Sequence, residues 1–188
     1  GKGRRPYELG TMLRVHFMQQ WFGYSDRSME DALHDMPLLR RFAGLDAGRD
    51  TLPDETTILH FRRLLERHGL AAGLLAEVNG ELRERGLLLH GGTAVDATLI
   101  AAPPSTKNKT QTRDPEMSQT KKGEQWYFGM KAHIGVDTQS GLVHTVTGTT
   151  AKASDVSEFR QLLHGYESQV FADRGYDYPD VHAHLLER

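Results

Sequence analysis

The chain has 188 residues, 38% of them hydrophobic, a formal net charge of −2 and no cysteine. That length is enough to bury a real core as one sizeable domain or two small ones, and the missing cysteines exclude disulfides, thiolate nucleophiles and any zinc site built on sulfur. A charge so close to neutral does not advertise a nucleic-acid binder as a whole, so local charge would have to carry such a function. Zero cysteines fit a reducing compartment, no apolar run is long enough to cross a bilayer, and nothing at the N-terminus reads as a signal peptide, which makes a cytoplasmic protein the expectation. The first residues, Gly1-Lys-Gly-Arg-Arg5, lack a methionine, and Arg188 falls inside a helical pattern, so a piece of a longer protein is expected.

Pro6 to Gln20 carries a helical stripe of Leu9, Met12, Leu13, His16 and Phe17 behind a proline suited to a first turn. Ser25 and Asp26 can cap a second helix with Met29, Leu33 and Met36 on one face, and Pro37 reads as its stop. A third helix is expected from about Asp54 to Arg67, with Ile58, Phe61 and Leu65 inward, and a fourth with Leu70, Leu74, Val78 and Leu82, ending near Gly86. After Gly91-Gly92 valine and threonine rise, and alternation predicts strands near 93–100, 126–136 and 142–148, the last two joined by a turn at Asp137-Thr-Gln-Ser-Gly141. In the middle strand Phe128, Met130, Ala132, Ile134 and Val136 are expected to face one way, and Tyr127, Lys131 and His133 the other, polar way. Asp155, with Glu158 three residues on, opens a helix bearing Val156, Phe159 and Leu163; a strand around Asp173 and a helix from Pro179 follow.

Two aspartates stand out in that series. Asp96 interrupts Thr93-Ala-Val-Asp-Ala-Thr-Leu-Ile100, and Asp173 interrupts Gln169-Val-Phe-Ala-Asp-Arg-Gly-Tyr176. A carboxylate in a dry strand is costly unless it is paired or binds a cation. Each could instead be a turn former or a helix cap. Strand, strand, strand, helix, strand, with acids on the first and fourth strands, is the ribonuclease H-like order. In that order the first and fourth strands are neighbours, so residues 173 − 96 = 77 apart in sequence would meet. Two clustered carboxylates repel unless a cation lies between them, and hard oxygen ligands favour Mg2+ or Mn2+. The reaction this suggests is in-line displacement at a phosphodiester.

Between the first two strands, Ala101 to Gln125 is polar, with Lys107, Lys109, Arg113, Lys121 and Lys122 against Asp114, Glu116 and Glu124. A loop this long is either a solvated flexible segment or functional. The functional reading is lysine contact with phosphate, with Trp126 and Tyr127 at its end available to stack on a base. Lys131 and His133 could reach the same phosphates or form an ordinary exposed strand face; Arg174 could touch DNA or pair with a surface acid. Pro53-Asp-Glu-Thr-Thr57 is explained as a helix start with acids in its first turn.

The ordered set Gly3-Arg-Arg-Pro-Tyr7, His16-Phe-Met-Gln-Gln-Trp21, Arg41-Phe-Ala-Gly-Leu45, Pro53-Asp-Glu-Thr-Thr57, Val95-Asp-Ala-Thr98, Ser105-Thr-Lys-Asn-Lys109, Asp114-Pro-Glu-Met117, Lys121-Lys122, Trp126 to Asp137 and Ala172-Asp-Arg-Gly-Tyr176 resembles the DDE transposases of bacterial insertion sequences, specifically the insertion-sequence-five group. The likeness covers nearly the whole chain. It implies an α+β protein in which residues 1–90 form a helical DNA-end-binding region, with contacts from 6–67, and 91–188 a C-terminally incomplete ribonuclease H-like core. It also implies that Asp96 and Asp173 are the first two acids of a catalytic triad holding Mg2+ or Mn2+. The implied partners are terminal inverted repeats and target DNA, with no membrane, nucleoid association and a possible homo-oligomer. The family's third acid, a glutamate in a tyrosine, two residues, arginine, three residues, glutamate motif, is not found: Tyr24 and Arg27 have the first spacing but Asp31 stands in the glutamate's place, and Glu187 lacks the motif's other members. That absence predicts that the 188-residue chain is inactive by itself. Two other readings stay open, a metal-dependent nuclease without strand transfer and a non-catalytic DNA-binding remnant.

Overall fold

The structure is a computed structural model that describes residues 6–88, 91–104 and 112–186. The chain divides into two compact units, Gly1–Leu74 and Leu75–Arg188, and is α+β: helices first, then a mixed sheet.

In the first unit, α1 spans Leu9–Phe22 and ends on Gly23, whose φ of 65° is the left-handed C-cap that glycine adopts without a Cβ clash. Helix α2, Asp26–Asp35, starts as expected from Ser25, whose side chain accepts the Ser28 N–H. Pro37 does not end the helical region. It sits at the first turn of a further helix, α3, Pro37–Ala43, a position where its missing N–H costs nothing. Helix α4, Glu55–Arg67, is capped by Asp54, which accepts the Thr57 N–H at 2.7 Å. Val15, Met18, Met29, Leu33, Leu39, Ala43 and Ile58 form one aliphatic core across these helices. Helix α5, Leu70–Glu84, departs from its expected stripe: Leu70 and Val78 are exposed, and its buried residue is Asn79, whose Nδ2 donates to the His144 carbonyl.

The second unit is built on a five-stranded sheet: β1 (Gly92–Ala101), β2 (Ser118–Lys122), β3 (Gln125–Asp137), β4 (Val143–Thr150) and β5 (Gln169–Phe171). Strand β3 pairs antiparallel with β1 on one side and with β2 and β4 on the other, and β1 pairs parallel with β5. This is the ribonuclease H-like order. The turn from β3 to β4 closes with the Gly141 N–H on the Asp137 carbonyl, and Gly141 has φ 72°. Strand β2 lies inside the stretch read as a loop; its sequence, Ser-Gln-Thr-Lys-Lys, has no apolar alternation, and it is held by hairpin pairing with the start of β3. A single turn of helix, α6 (Asp155–Glu158), runs on as a 3-10 turn, Phe159–Leu162, shorter than expected. A second 3-10 turn, Arg174–Tyr176, leads to α7, Pro179–Leu186.

The faces of β3 are reversed relative to the sequence reading. Gly129, His133, Gly135 and Asp137 are its buried residues, while the more apolar even-numbered row is only half-buried. The reversal arises because the core of Val95, Phe159, Leu162, Leu163, Tyr176 and Val181 lies on the odd-numbered side, where polar β3 side chains find internal partners.

Candidate active site on strands β1 and β5

Parallel pairing aligns Gly92 with Gln169, Thr93 with Val170 and Ala94 with Phe171, an offset of 169 − 92 = 77 residues. Asp96 and Asp173 share that offset, two residues beyond the last aligned pair. Both side chains are exposed. The Oδ1 of Asp96 accepts the Ala97 N–H at 2.7 Å, and the Oδ1 of Asp173 accepts the Gly175 N–H at 2.8 Å, which makes Asp173 the cap of the following turn. The capping role that competed with the catalytic one is therefore present, and it uses only one of the two Asp173 oxygens. In each carboxylate, Oδ2 makes no hydrogen bond among the described residues.

The turn after Asp173 brings in a residue that sequence reasoning passed over. Tyr176 is 3% exposed, its N–H bonds the Asp173 carbonyl at 3.1 Å, and its ring packs against Phe159 with centroids 6.0 Å apart. Burial, reinforced by the negative charges of Asp155, Asp96 and Asp173, holds its phenol far above the usual tyrosine range. Its only signal in the sequence is its place at the end of Asp173-Arg-Gly-Tyr176.

Asp155, read from sequence as a helix start, also does more. It accepts Lys131 Nζ at 2.8 Å, and the same ammonium donates to the Ala153 carbonyl at 2.8 Å. His133 is fully buried; its Nε2 shares a hydrogen bond with Thr149 Oγ1 at 2.8 Å and its Nδ1 lies 3.9 Å from Asp155 Oδ1. Burial pushes its pKa down, with Asp155 and Glu158 pulling the other way. The expectation that His133 reaches DNA from a polar face is corrected by this burial: an imidazole with no exposure cannot touch a phosphate without rearrangement. Lys131 lies on the same inward row, with its charge committed to Asp155.

The remaining candidates lie elsewhere. Lys121 and Trp126 are cross-strand partners in the β2–β3 hairpin, both exposed, with Trp126 at 66%; Lys122 is exposed one residue on. Lys121 has Glu124 at 3.7 Å. Arg174 is exposed beside Asp173. Lys107 and Lys109 lie outside the described residues, as does Glu187.

The donor types suit a hard cation: two carboxylates with an oxygen apiece to offer and no sulfur. Among the described residues no group of three or more His, Cys, Asp or Glu side chains is gathered closely enough to hold a metal ion. The same residues include no helix long and apolar enough to cross a membrane.

The mixed sheet with β1 between β3 and β5, with Asp96 on β1 and Asp173 just past β5, has the ribonuclease H-like architecture. Comparison with family models narrows this further. Residues 88–188 match the family described as Transposase DDE domain, and residues 1–64 match Transposase domain (DUF772). The chain belongs to the DDE transposases of insertion sequences. No solved structure matches it.

Proposed function

We propose that this transposase cuts and joins DNA by phosphoryl transfer assisted by Mg2+ or Mn2+, with Asp96 and Asp173 as the metal-binding acids. The observation that carries the reading is the shared 77-residue offset of the β1–β5 pairing and of the two aspartates. Asp96 lies on β1 and Asp173 two residues past the end of β5, both exposed, and continuing that register would bring the two carboxylates level. When bound between such acids, a divalent ion supplies charge neutralisation at the phosphate and an activated oxygen nucleophile.

The chain's own residues do the rest. Asp173 is fixed by its backbone cap, so one of its oxygens stays turned to the Gly175 N–H while the other remains available. Asp96 is held on β1 opposite Ile134 of β3, two residues past the last pairing with β5, which limits its movement. Lys121, Lys122 and Trp126 form an exposed basic and aromatic hairpin edge suited to phosphate contact and base stacking, and Arg174 adds a cation next to the acid pair. Lys107 and Lys109 extend the same basic stretch in sequence. The division of labour follows the two regions, residues 1–90 binding DNA ends and 91–188 carrying the chemistry, with the finer likeness to the insertion-sequence-five group resting on the motifs in the sequence. Two acids make a weak cation site, so the 188-residue chain by itself binds metal poorly and works as part of a larger or oligomeric assembly at the nucleoid.

The test uses Mn2+-dependent cleavage and joining of terminal-repeat DNA by the intact gene product that contains this chain. Asp96→Asn and Asp173→Asn should each reduce both reactions to background while leaving salt-sensitive DNA binding in place. Cleavage that survives both substitutions overturns the assignment. Cutting without joining to a target plasmid would favour the nuclease reading, and binding without metal-dependent cutting the remnant.

A further inference from the structure

The least explained polar atom beside the acid pair is the hydroxyl of Tyr176. It is buried and has no hydrogen-bond partner among the described residues. Leaving such a group unsatisfied costs about 1–3 kcal/mol, so a phenylalanine would fill the same space more cheaply. Packing therefore accounts for the ring and leaves the oxygen unaccounted for.

Its surroundings indicate what the oxygen is for. The ring is pinned from three sides: the Tyr176 N–H bonds the Asp173 carbonyl, Phe159 lies against its face, and it shares a core with Val95, the residue before Asp96. It is thus fixed to both chain segments that carry the acids. A cleft of about 200 Å³ is lined by Asp173 and Tyr176 together, with Val170 and Val181 among its apolar walls. Two carboxylates line this cleft with the hydroxyl, those of Asp173 and Asp177, and Asp177 is already bonded to His182 at 2.7 Å. Asp173, with one of its oxygens unused, is the acceptor that remains.

We infer that Tyr176 is a positioning residue for the acid pair, its hydroxyl donating a hydrogen bond to a carboxylate oxygen of Asp173 in the cation-loaded site. The inference rests on the metal-binding reading above. A donor on an outer oxygen fixes the rotamer of a metal-binding carboxylate, and losing such a partner typically weakens metal affinity.

The experiment is a Mn2+ titration of the intact gene product that contains this chain, followed by the electron paramagnetic resonance signal of the free ion, for the wild type, Tyr176→Phe, Asp96→Asn and Asp173→Asn. Tyr176→Phe should weaken binding by about 10–100-fold while its metal-free melting temperature stays at or above the wild-type value. Tyr176→Phe binding within about twofold of wild type, while both asparagine variants lose the ion, overturns the role of Tyr176 and leaves the metal site intact. Unchanged binding in the asparagine variants, or no saturable binding by the wild type, overturns the metal-site reading and this inference with it. Should Tyr176→Phe fail to fold, 3-fluorotyrosine at position 176 reports the same contact: its 19F resonance should move on adding Mg2+ in the wild-type background and stay fixed in Asp96→Asn. A resonance that ignores Mg2+ in a wild-type background that binds the ion also overturns the role.

Discussion

The helical unit and the sheet unit keep their polar groups in different places. In the first, the interior is aliphatic, with Val15, Met18, Met29, Leu33 and Ile58 nearly inaccessible, and the main ion pair, Arg62 with Asp26 at 2.9 Å, is only partly buried. In the second, the fully buried residues include Thr93, His133 and Asp137, and a lysine–aspartate pair stands beside them. An aliphatic interior derives its stability from contact area and tolerates changes of shape. A polar interior fixes its geometry through specific partners and fails when one of them is lost. The unit that carries the acids adds to its apolar cluster around Phe159 and Leu162 an interior row whose geometry is specified by hydrogen bonds.

The largest expected effect is in the aliphatic core. Leu33→Ala removes a fully buried side chain and should cost about 2–5 kcal/mol, read as a lower denaturant midpoint for the helical signal. A smaller loss is expected for Asp155→Ala, about 1–3 kcal/mol, because it leaves the ammonium of Lys131 with only the Ala153 carbonyl as partner. Adding Lys131→Met should recover most of that loss, since the penalty comes from the unpaired charge and disappears with it. A double variant no more stable than Asp155→Ala alone would show that this interior does not depend on pairing, and the contrast between the units would collapse.

What the sequence could and could not reveal follows the same division. The long strands were legible because alternation and β-branched residues mark them, so 93–100, 126–136 and 142–148 fall within two residues of β1, β3 and β4. Helix α3 was hidden because a proline that stops one helix and a proline that starts the next look alike in one sequence. The faces of β3 came out reversed because a lysine and a histidine normally mark the wet side; only Asp155 and Thr149, distant in sequence, make them interior residues. At the site, the spacing of Asp96 and Asp173 is a sequence property that the β1–β5 offset matches, whereas the buried hydroxyl of Tyr176 depends on packing against Phe159 and could not be read from the chain.

The smallest effect concerns the rim of the helical unit and tests the contrast through pH. The Arg62 guanidinium donates to Asp26 and, helped by Gln19, holds its carboxyl below the ordinary value of 3.8, against the opposing pull of burial. A depressed carboxylate contributes stability that is fully present above its unfolded pKa and is lost as pH falls through the folded one. Arg62→Ala should therefore lower stability near neutral pH by about 1 kcal/mol or less, a small figure because Arg62 is 37% exposed and solvent screens the pair. The difference from wild type should shrink as pH falls below 3.8 and through the depressed folded pKa of Asp26, and it should also shrink in high salt. Urea unfolding followed at both pH values measures it. A difference that stays constant into acid would mean that Arg62 acts through its aliphatic stem packed on α2 and α4, and that even the rim of this unit is held by contact area.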